Sequence, residues 1–293
     1  MSFSFKDFGQ ITNINIPDGK EHVEKTKFQG SPYFNVIVMY FLSHKHDDIC
    51  VILSEPYETD ESKNIHFFED EKDHSHDDSC VLLPKNINHI PEMQREVSLR
   101  WVEQKNGKGF ISVPKPEHLF WKNFTKCSSK RFVVMPFGYD CLDSGHANYL
   151  LYDKKNKTLE RFESYGRIDD DRTCLNPPKL DKKIRALFEK NLGKDFIKKY
   201  YSPGSYLPDK NIQTLQENEK EKLELSGFCA VWSCFWIDLR LSNPDVDRKD
   251  LIKMTLKELK RLKEEKGISY TQFIRNYSGL IVDVSNEIKK LYK

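Results

Sequence analysis

The stretch at residues 228–241 places apolar side chains on nearly every side of a helix. A helix that is apolar all round is stable only when it is buried, so this stretch predicts a buried helix. The chain has 293 residues, of which 38% are hydrophobic. That is enough for one large domain or two modest ones with substantial cores.

Short apolar runs rich in β-forming residues occupy the first part of the chain. Residues 33–42 and 49–53 flank a polar turn, which predicts a β-hairpin, and further short strands are expected at 65–68 and 80–83. We therefore predict a β-rich accessory region over residues 1–95.

The remainder, residues 96–293, mixes strands with helices and is predicted to be an α+β domain. The strands at 146–152 and 158–162 form a predicted antiparallel hairpin around a lysine-rich turn. The other expected elements are strands at 97–102, 110–113 and 131–137 and helices at 182–192, 228–241 and 248–266, followed by two shorter helices.

Cys229 stands at the start of the predicted buried helix, after Ser226 and Gly227, which suit an N-cap and a turn. The N–H groups and the dipole of a helix N-terminus stabilise a thiolate, and the same groups can hold a developing oxyanion. A buried structural cysteine is the alternative interpretation. Cys234 lies further inside the helix, where the N–H groups are already bonded, and we predict that it belongs to the core.

His146 follows Gly145 at the start of the hairpin's first strand, and Asn148 shares its face. The hairpin brings Glu163 of the second strand roughly opposite His146, where a carboxylate can fix the tautomer of the imidazole. Asn148 is a further candidate for orienting the ring. The alternative is an exposed histidine beside an ordinary surface glutamate.

The order from Arg131 to Glu163 resembles a segment of the proteases that cleave SUMO and related ubiquitin-like proteins, and of adenain, the adenovirus protease. That family has an apolar strand, a histidine, a lysine-rich turn and then Asp or Glu, followed later by a cysteine that opens a buried helix. The resemblance covers roughly residues 96–241. It implies a mixed β-sheet flanked by helices and a cysteine peptidase whose catalytic residues are His146, Glu163 and Cys229.

Three positions depart from the family's pattern. Ala147 stands where the family usually has Trp, and Ala230 stands where it usually has Gly. The family's oxyanion-hole Gln lies shortly before the Cys, whereas here the candidates are Gln213 and Gln216. Gln213 is preferred, because its neighbours look ordered and residues 217–224 look like a charged insertion, and Gln216 is the alternative.

The resemblance implies a thiol-dependent hydrolase that cleaves a peptide or isopeptide bond without a cofactor. Its partner would be a protein substrate, either a ubiquitin-like modifier or a viral precursor protein. Two alternatives stay open. A bacterial effector family with the same His, Glu, Cys order transfers acetyl groups, and an inactive relative would only bind a partner.

The charge pattern gives little reason to expect a nucleic-acid or membrane partner. The formal net charge is only +2. The lysines at 253–266 alternate with glutamate, and both they and the lysines at 289–293 fall at helical spacing, as on a solvated helix face. The longest apolar stretch, residues 36–42, is too short to span a bilayer. Residues 1–7 lack the apolar region of a signal peptide.

The chain has 7 cysteines at irregular spacing, and an odd number without a signal peptide favours reduced thiols. We therefore expect an intracellular protein of the cytoplasm or nucleus, or of a virion if it is viral. The motif H-x-H-D-D-x-C occurs twice, at residues 44–50 and 74–80. Together the two copies could fill a zinc site, but both fall at expected turns, and we predict no metal.

Overall fold

The computed structural model describes residues 32–51, 98–103, 109–114, 117–127, 130–140, 145–167, 177–219 and 228–291. Its strands are β1 (Ile49–Val51), β2 (Leu99–Glu103), β3 (Gly109–Ser112), β4 (Phe132–Asp140), β5 (Gly145–Asp153), β6 (Thr158–Arg161) and β7 (Lys199–Tyr201). Its helices are α1 (Pro32–Lys45), α2 (Glu117–Lys126), α3 (Pro177–Leu192), α4 (Pro203–Tyr206), α5 (Ile212–Glu217), α6 (Cys229–Ser242), α7 (Arg248–Lys266) and α8 (Tyr270–Leu291).

All seven strands belong to one sheet with the order β3-β2-β4-β5-β6-β7, and β1 also pairs with β4. Strand β4 lies antiparallel to β5, from Phe132 opposite Asp153 to Asp140 opposite Gly145. The pairs β1–β4, β2–β4 and β6–β7 are parallel. The sheet is therefore mixed and has helices on both faces, which confirms the predicted α+β class.

The two faces of the sheet carry separate hydrophobic cores. One core contains residues of α1, α6, α7 and α8, with Trp232 and Trp236 fully buried. The other contains residues of α2 and α3, in which Trp121 packs edge-on against Phe188 at a centroid distance of 5.3 Å. Because both faces are covered, the central strands β4 and β5 are buried on both sides.

The helix predicted at residues 228–241 is present as α6, and every side chain from Cys229 to Leu241 is buried. Its aromatic residues fix it against the sheet, since Trp236 stacks on Phe162 at a centroid distance of 5.1 Å. This packing holds the N-terminal end of α6 next to β5. The predicted strands and helices between residues 97 and 266 are likewise present, within a few residues at their ends.

A buried ion cluster joins strand β6 to helices α6 and α7. The Glu160 carboxylate accepts a hydrogen bond from Trp236 Nε1 at 2.7 Å and from Arg240 Nε at 3.2 Å. Arg248 forms a third bond to it. Glu160 is only 1% exposed, and a buried charge of this kind must be paired to be tolerated. The cluster therefore fixes the strand that leads to Glu163.

The hairpin predicted at residues 33–53 was wrong in its first strand. Residues 32–45 form helix α1, and β1 pairs in parallel with β4 instead. A short apolar run has no periodicity that separates a strand from a buried helix. Here Val38, Met39 and Leu42 have no exposed surface, so burial on several sides favours the helix.

Residues 32–51 fall within the predicted accessory region, yet they belong to the same sheet and core as β4 and α6. The division of the chain near residue 95 otherwise stays a prediction, since residues 52–97 lie outside those that the structure describes. The strands expected at 65–68 and 80–83 lie there as well. At the end of the chain, the two short helices expected are one continuous helix, α8.

Cys50 and Cys127 are joined in a disulfide, which corrects the expectation of reduced thiols at these two positions. They are 77 residues apart in sequence, and only the parallel pairing of β1 with β4 brings Cys50 to the end of α2. Cys229 and Cys234 are free thiols. None of the helices in the described ranges combines the length and apolar character needed to cross a bilayer.

Candidate active site

The two strands of the β5–β6 hairpin bring His146 and Glu163 together. His146 is the second residue of β5, and Glu163 follows shortly after β6 ends at Arg161. The strands pair antiparallel up to Leu150 opposite Arg161. Beyond that point the chain carries Glu163 to the imidazole, where its Oε1 lies 2.8 Å from His146 Nε2. The predicted approach of these side chains is therefore present in the structure.

Cys229 is the first residue of α6 and is 8% exposed. Its Sγ accepts a hydrogen bond from the backbone N–H of Ala147 at 3.5 Å, and the imidazole of His146 lies close enough to lower the pKa of the thiol. Since Nε2 of that ring faces Glu163, Nδ1 is the nitrogen left for the sulfur. All three predicted catalytic side chains thus meet in one place. Ser226 and Gly227 lie outside the described residues.

The charges at the site favour a thiolate paired with an imidazolium. Burial raises the pKa of Cys229, but the nearby His146 lowers it by more than burial raises it. The net pKa of the thiol therefore lies below its ordinary value. Burial lowers the pKa of His146, but Glu163 and the Cys229 thiolate outweigh this and raise it to about 10. The proton of the pair therefore resides on the ring over a wide pH range.

Cys234 provides the contrast within the same helix. It has no exposed surface, and its sulfur lies 3.6 Å from the hydroxyl of Tyr277. Burial, together with the nearby charge of Asp238, raises its pKa well above the ordinary value. Such a thiol is unreactive at neutral pH, in agreement with the prediction that Cys234 belongs to the core.

The two candidate glutamines differ in what their amides contact. Gln213 Oε1 accepts from Ser164 Oγ at 2.6 Å, and its Nε2 donates to Tyr165 Oη at 2.9 Å and to Glu217 Oε1 at 3.3 Å. Both the oxygen and the nitrogen of the Gln213 amide are therefore already hydrogen-bonded within the protein.

Gln216 presents its amide differently. Its Oε1 accepts from the indole N–H of Trp232 at 2.9 Å, and Trp232 lies one helical turn after Cys229 on α6. Among the described residues, its Nε2 has no hydrogen-bond acceptor. The side chain is thus anchored by its oxygen, with its N–H groups still able to donate.

Asn148 does share the face of His146, but its hydrogen bonds go elsewhere. Its Nδ2 donates to the carbonyl oxygen of Phe162 and, at 3.4 Å, to the hydroxyl of Tyr139. Its Oδ1 accepts from the N–H of Tyr149. Within the described residues, Asn148 reaches the imidazole through Tyr139 and not directly, and its orienting role stays a prediction in that indirect form.

Three residues near the imidazole were missed in the sequence. Tyr139 stacks on His146 at a centroid distance of 5.3 Å and 12° between the planes, and the ring of Tyr165 lies 5.5 Å away. Arg161 lies 3.6 Å from Glu163 Oε2. A sequence signal existed for one of them, since Arg161 precedes Glu163 at the two-residue spacing of one strand face. That Tyr139 lies directly opposite His146 in the β4–β5 pairing is seen only in the structure.

The first H-x-H-D-D-x-C motif is engaged in structural contacts. His46 Nε2 lies 2.7 Å from Asp238 Oδ1, Asp48 accepts from the N–H of Arg131 at 2.7 Å, and Cys50 is in the disulfide. The second copy, at residues 74–80, lies outside the described residues. In the part of the chain that is described, no three or more His, Cys, Asp or Glu side chains are grouped to hold a metal.

No family model matches the chain. A protein of Acanthamoeba polyphaga mimivirus, named as an ankyrin repeat protein, is 26% identical over an alignment of 197 residues, and the match covers 64% of this chain and 25% of that protein. The chain thus spans about a quarter of the length of this curated relative.

Solved structures with some similarity come from chlamydial effectors. The effector ChlaDUB1 of Chlamydia trachomatis has a TM-score of 0.34 at 11% identity, covering 58% of this chain and 61% of that one. The Chlamydia trachomatis effector Cdu1 bound to ubiquitin has a TM-score of 0.32 at 11% identity, covering 58% and 67%. The Chlamydia abortus effector ChlaDUB has a TM-score of 0.33 at 13% identity, covering 85% and 98%.

Proposed function

We propose that the protein is a thiol-dependent hydrolase that cleaves a peptide or isopeptide bond in a protein substrate. The observation that carries this proposal is the proximity of Cys229 to the imidazole of His146, whose Nε2 lies 2.8 Å from Glu163 Oε1. A nucleophile, a base and a group that orients the base are the three parts that covalent acyl transfer by a thiol needs. The acyl-transfer chemistry follows from them.

In the first half of the reaction, the thiolate of Cys229 attacks the carbonyl carbon of the scissile bond and forms a sulfur–carbon bond. The electron pair of the C=O bond moves to the oxygen and gives an oxyanion. When the oxyanion collapses, the carbon–nitrogen bond breaks, and the His146 imidazolium gives its proton to the leaving amine. The product is a thioester on Cys229 and a neutral imidazole.

In the second half, neutral His146 takes a proton from water, and the resulting hydroxide attacks the thioester carbonyl. The tetrahedral intermediate collapses and breaks the sulfur–carbon bond, releasing a carboxylic acid product and restoring the thiolate and the imidazolium. Glu163 keeps the ring in the orientation that both proton transfers require. Every proton and electron pair is accounted for without a cofactor.

The oxyanion would be held by the first N–H groups of α6 and by an amide side chain. The N-cap of α6 is Phe228, whose side chain makes no cap bond, so it does not occupy the first N–H groups of the helix. We assign the amide to Gln216, because Trp232 anchors its oxygen and its N–H groups can still donate. One such donor is worth about 3 kcal/mol to the transition state.

We expect Gln216→Ala to lower kcat by roughly 10²-fold with little change in KM, because the donor acts mainly on the developing charge. Gln213→Ala is the matched control, and we expect it to change kcat by less than about tenfold. Steady-state kinetics of both variants, with thermal unfolding as a check on folding, decide between them. The reverse ranking of the two effects would return the role to Gln213.

The substrate class is proposed from the resemblance of the segment between Arg131 and Glu163 to proteases of ubiquitin-like proteins. A panel of ubiquitin and ubiquitin-like proteins carrying an electrophile at the C-terminus tests it. We expect intact-mass spectrometry to detect an adduct on Cys229 with at least one member. If iodoacetamide labels Cys229 rapidly but no panel member does, the thiol is active and the substrate class is wrong. If neither reagent labels it, the thiolate itself is refuted.

A further inference from the structure

A buried arginine lies directly behind the carboxylate that orients His146. Arg161 is the last residue of β6, and its side chain is 2% exposed. Its Nε donates to Asp181 Oδ1 at 2.7 Å, and one of its terminal nitrogens donates to the hydroxyl of Tyr139 at 2.6 Å. The same nitrogen lies 3.6 Å from Glu163 Oε2. The guanidinium thus sits between two carboxylates from different elements.

Tyr139 links this arginine to the imidazole as well as to the carboxylate. Its ring lies nearly parallel to that of His146, with 12° between the planes and 5.3 Å between the centroids. Its hydroxyl accepts from Arg161 and lies 3.5 Å from Glu163 Oε2. One tyrosine therefore contacts the base through its ring and the acid through its hydroxyl.

Asp181 holds the outer end of the same network. It comes from helix α3, and Tyr200 of β7 donates to its Oδ1 at 2.7 Å. Because Asp181 bonds Nε, the guanidinium cannot rotate away from Glu163 without breaking a buried ion pair. The arginine is thus held by Tyr139 of β4 and by Asp181 of α3, and Tyr200 of β7 in turn holds Asp181.

Electrostatics explains why a cation is useful at this point. Burial raises the pKa of Glu163, while the charge of His146, and after it that of Arg161, lower it to a net value below the ordinary one. If Glu163 took up a proton, the imidazolium would lose the negative charge that stabilises it. Among the described residues, the groups that face Glu163 are His146 of β5, Tyr139 of β4, Arg161 of β6 and the N–H of Tyr165, and its charge also acts on Cys229 of α6.

We propose that Arg161 and Tyr139 are positioning residues of the thiol site, which hold the Glu163 carboxylate in place against His146 and keep it ionised. The part of this inference that concerns catalysis rests on the proposed function. The part that concerns the ionisation of Glu163 can be tested without any substrate.

The test is a pH titration of the His146 ring nitrogens by ¹⁵N NMR, with the signals assigned by their loss in His146→Gln. As the pH falls, protonation of Glu163 changes these signals at an inflection below the ordinary glutamate range. Arg161→Met removes the charge at similar length, so we expect the inflection to rise by about one pH unit or more. Arg161→Lys keeps the charge and should restore most of the difference.

Arg240→Met is the matched control. Its side chain is also 2% exposed and also pairs with a buried glutamate, Glu160, which is the neighbour of Arg161 on the opposite face of β6. Removing Arg240 should leave the inflection where it is. If Arg161→Met does not fold, Tyr139→Phe replaces it, because it keeps the ring and loses one hydroxyl, and we expect a smaller rise. An inflection that does not move in the folded variants overturns the proposal.

A second readout uses turnover once a substrate is known. Arg161→Met should lower kcat about 10- to 100-fold at unchanged KM in the native background, but far less in a Glu163→Gln background, because Arg161 acts through Glu163. Equal effects in the two backgrounds would show a merely structural role. If no substrate is ever cleaved, the proposed function fails while the NMR result still stands, so the two failures can be told apart.

Discussion

Replacing Cys229 with alanine is expected to reduce cleavage of the substrate by at least about 10³-fold, to the background of the assay. The change removes the sulfur that forms the bond to the acyl group, and what is left, the oxyanion donors and the binding surface, cannot supply a nucleophile. Turnover of a labelled ubiquitin-like substrate, or adduct formation with an electrophilic probe, measures the loss.

Cys234→Ala is the control for that experiment, since it changes the same residue type in the same helix. Cys234 is fully buried and contacts Tyr277 rather than His146. Its replacement should leave the rate within about twofold, at a cost in stability on the order of 1 kcal/mol for the lost sulfur. A Cys229→Ala protein that still cleaved its substrate at the native rate would end the thiol mechanism.

The second large effect concerns His146. We expect His146→Gln to slow the alkylation of Cys229 by iodoacetamide at pH 6.5 by about 10- to 100-fold. Without the imidazolium, burial leaves the thiol with a pKa at or above its ordinary value of about 8.5, so at most about 1% of it is ionised at pH 6.5. A less acidic thiolate is a better nucleophile, which offsets part of the loss.

The way in which the rate of Cys229 alkylation changes with pH tests the same prediction. In the native protein the pKa of Cys229 is lowered and that of His146 is raised to about 10. The reactive ion pair should therefore persist from acidic pH until the ring loses its proton near that upper value. In His146→Gln the rate should instead climb about tenfold per pH unit to at least pH 8.5, because burial keeps the pKa of the thiol at or above the ordinary value.

His46→Gln provides a closely matched control. His46 Nε2 lies 2.7 Å from the carboxylate of Asp238, and its side chain is 13% exposed, compared with 2.8 Å and 11% for His146 and Glu163. Both changes break a histidine–carboxylate pair, but only one of these histidines contacts Cys229. If both variants slow alkylation equally, the effect is one of folding, and His146 is not the base.

The elements that frame the site could be predicted because their signals are local. The all-round apolar character of α6 requires burial, and the polar turn between β5 and β6 fixes an antiparallel hairpin, so the meeting of His146 with Glu163 follows from short-range pattern alone. The position of Cys229 at the start of α6 follows from the same helix. Its contact with the hairpin came from family resemblance rather than from local pattern.

What the sequence could not provide depends on contacts between distant elements. Helix α1 was mistaken for a strand, because much of its burial depends on α8 and α6, which lie far along the chain. The choice between Gln213 and Gln216 depends on which side of the short helix α5 faces Trp232. The support from Arg161 becomes visible only when the register opposite Tyr139 and the approach of Asp181 are known.

Strand β6 places Glu160 and Arg161 side by side on opposite faces of the sheet, one in the ion cluster with α6 and α7 and the other next to Glu163. Side chains alternate along a strand, so inserting or deleting a single residue in the turn before β6 would turn both side chains to the opposite faces. The guanidinium would then lie on the face of the ion cluster, and the Glu160 carboxylate would lie on the face of Asp181. During evolution, the turn of this hairpin can therefore accept substitutions far more easily than insertions or deletions.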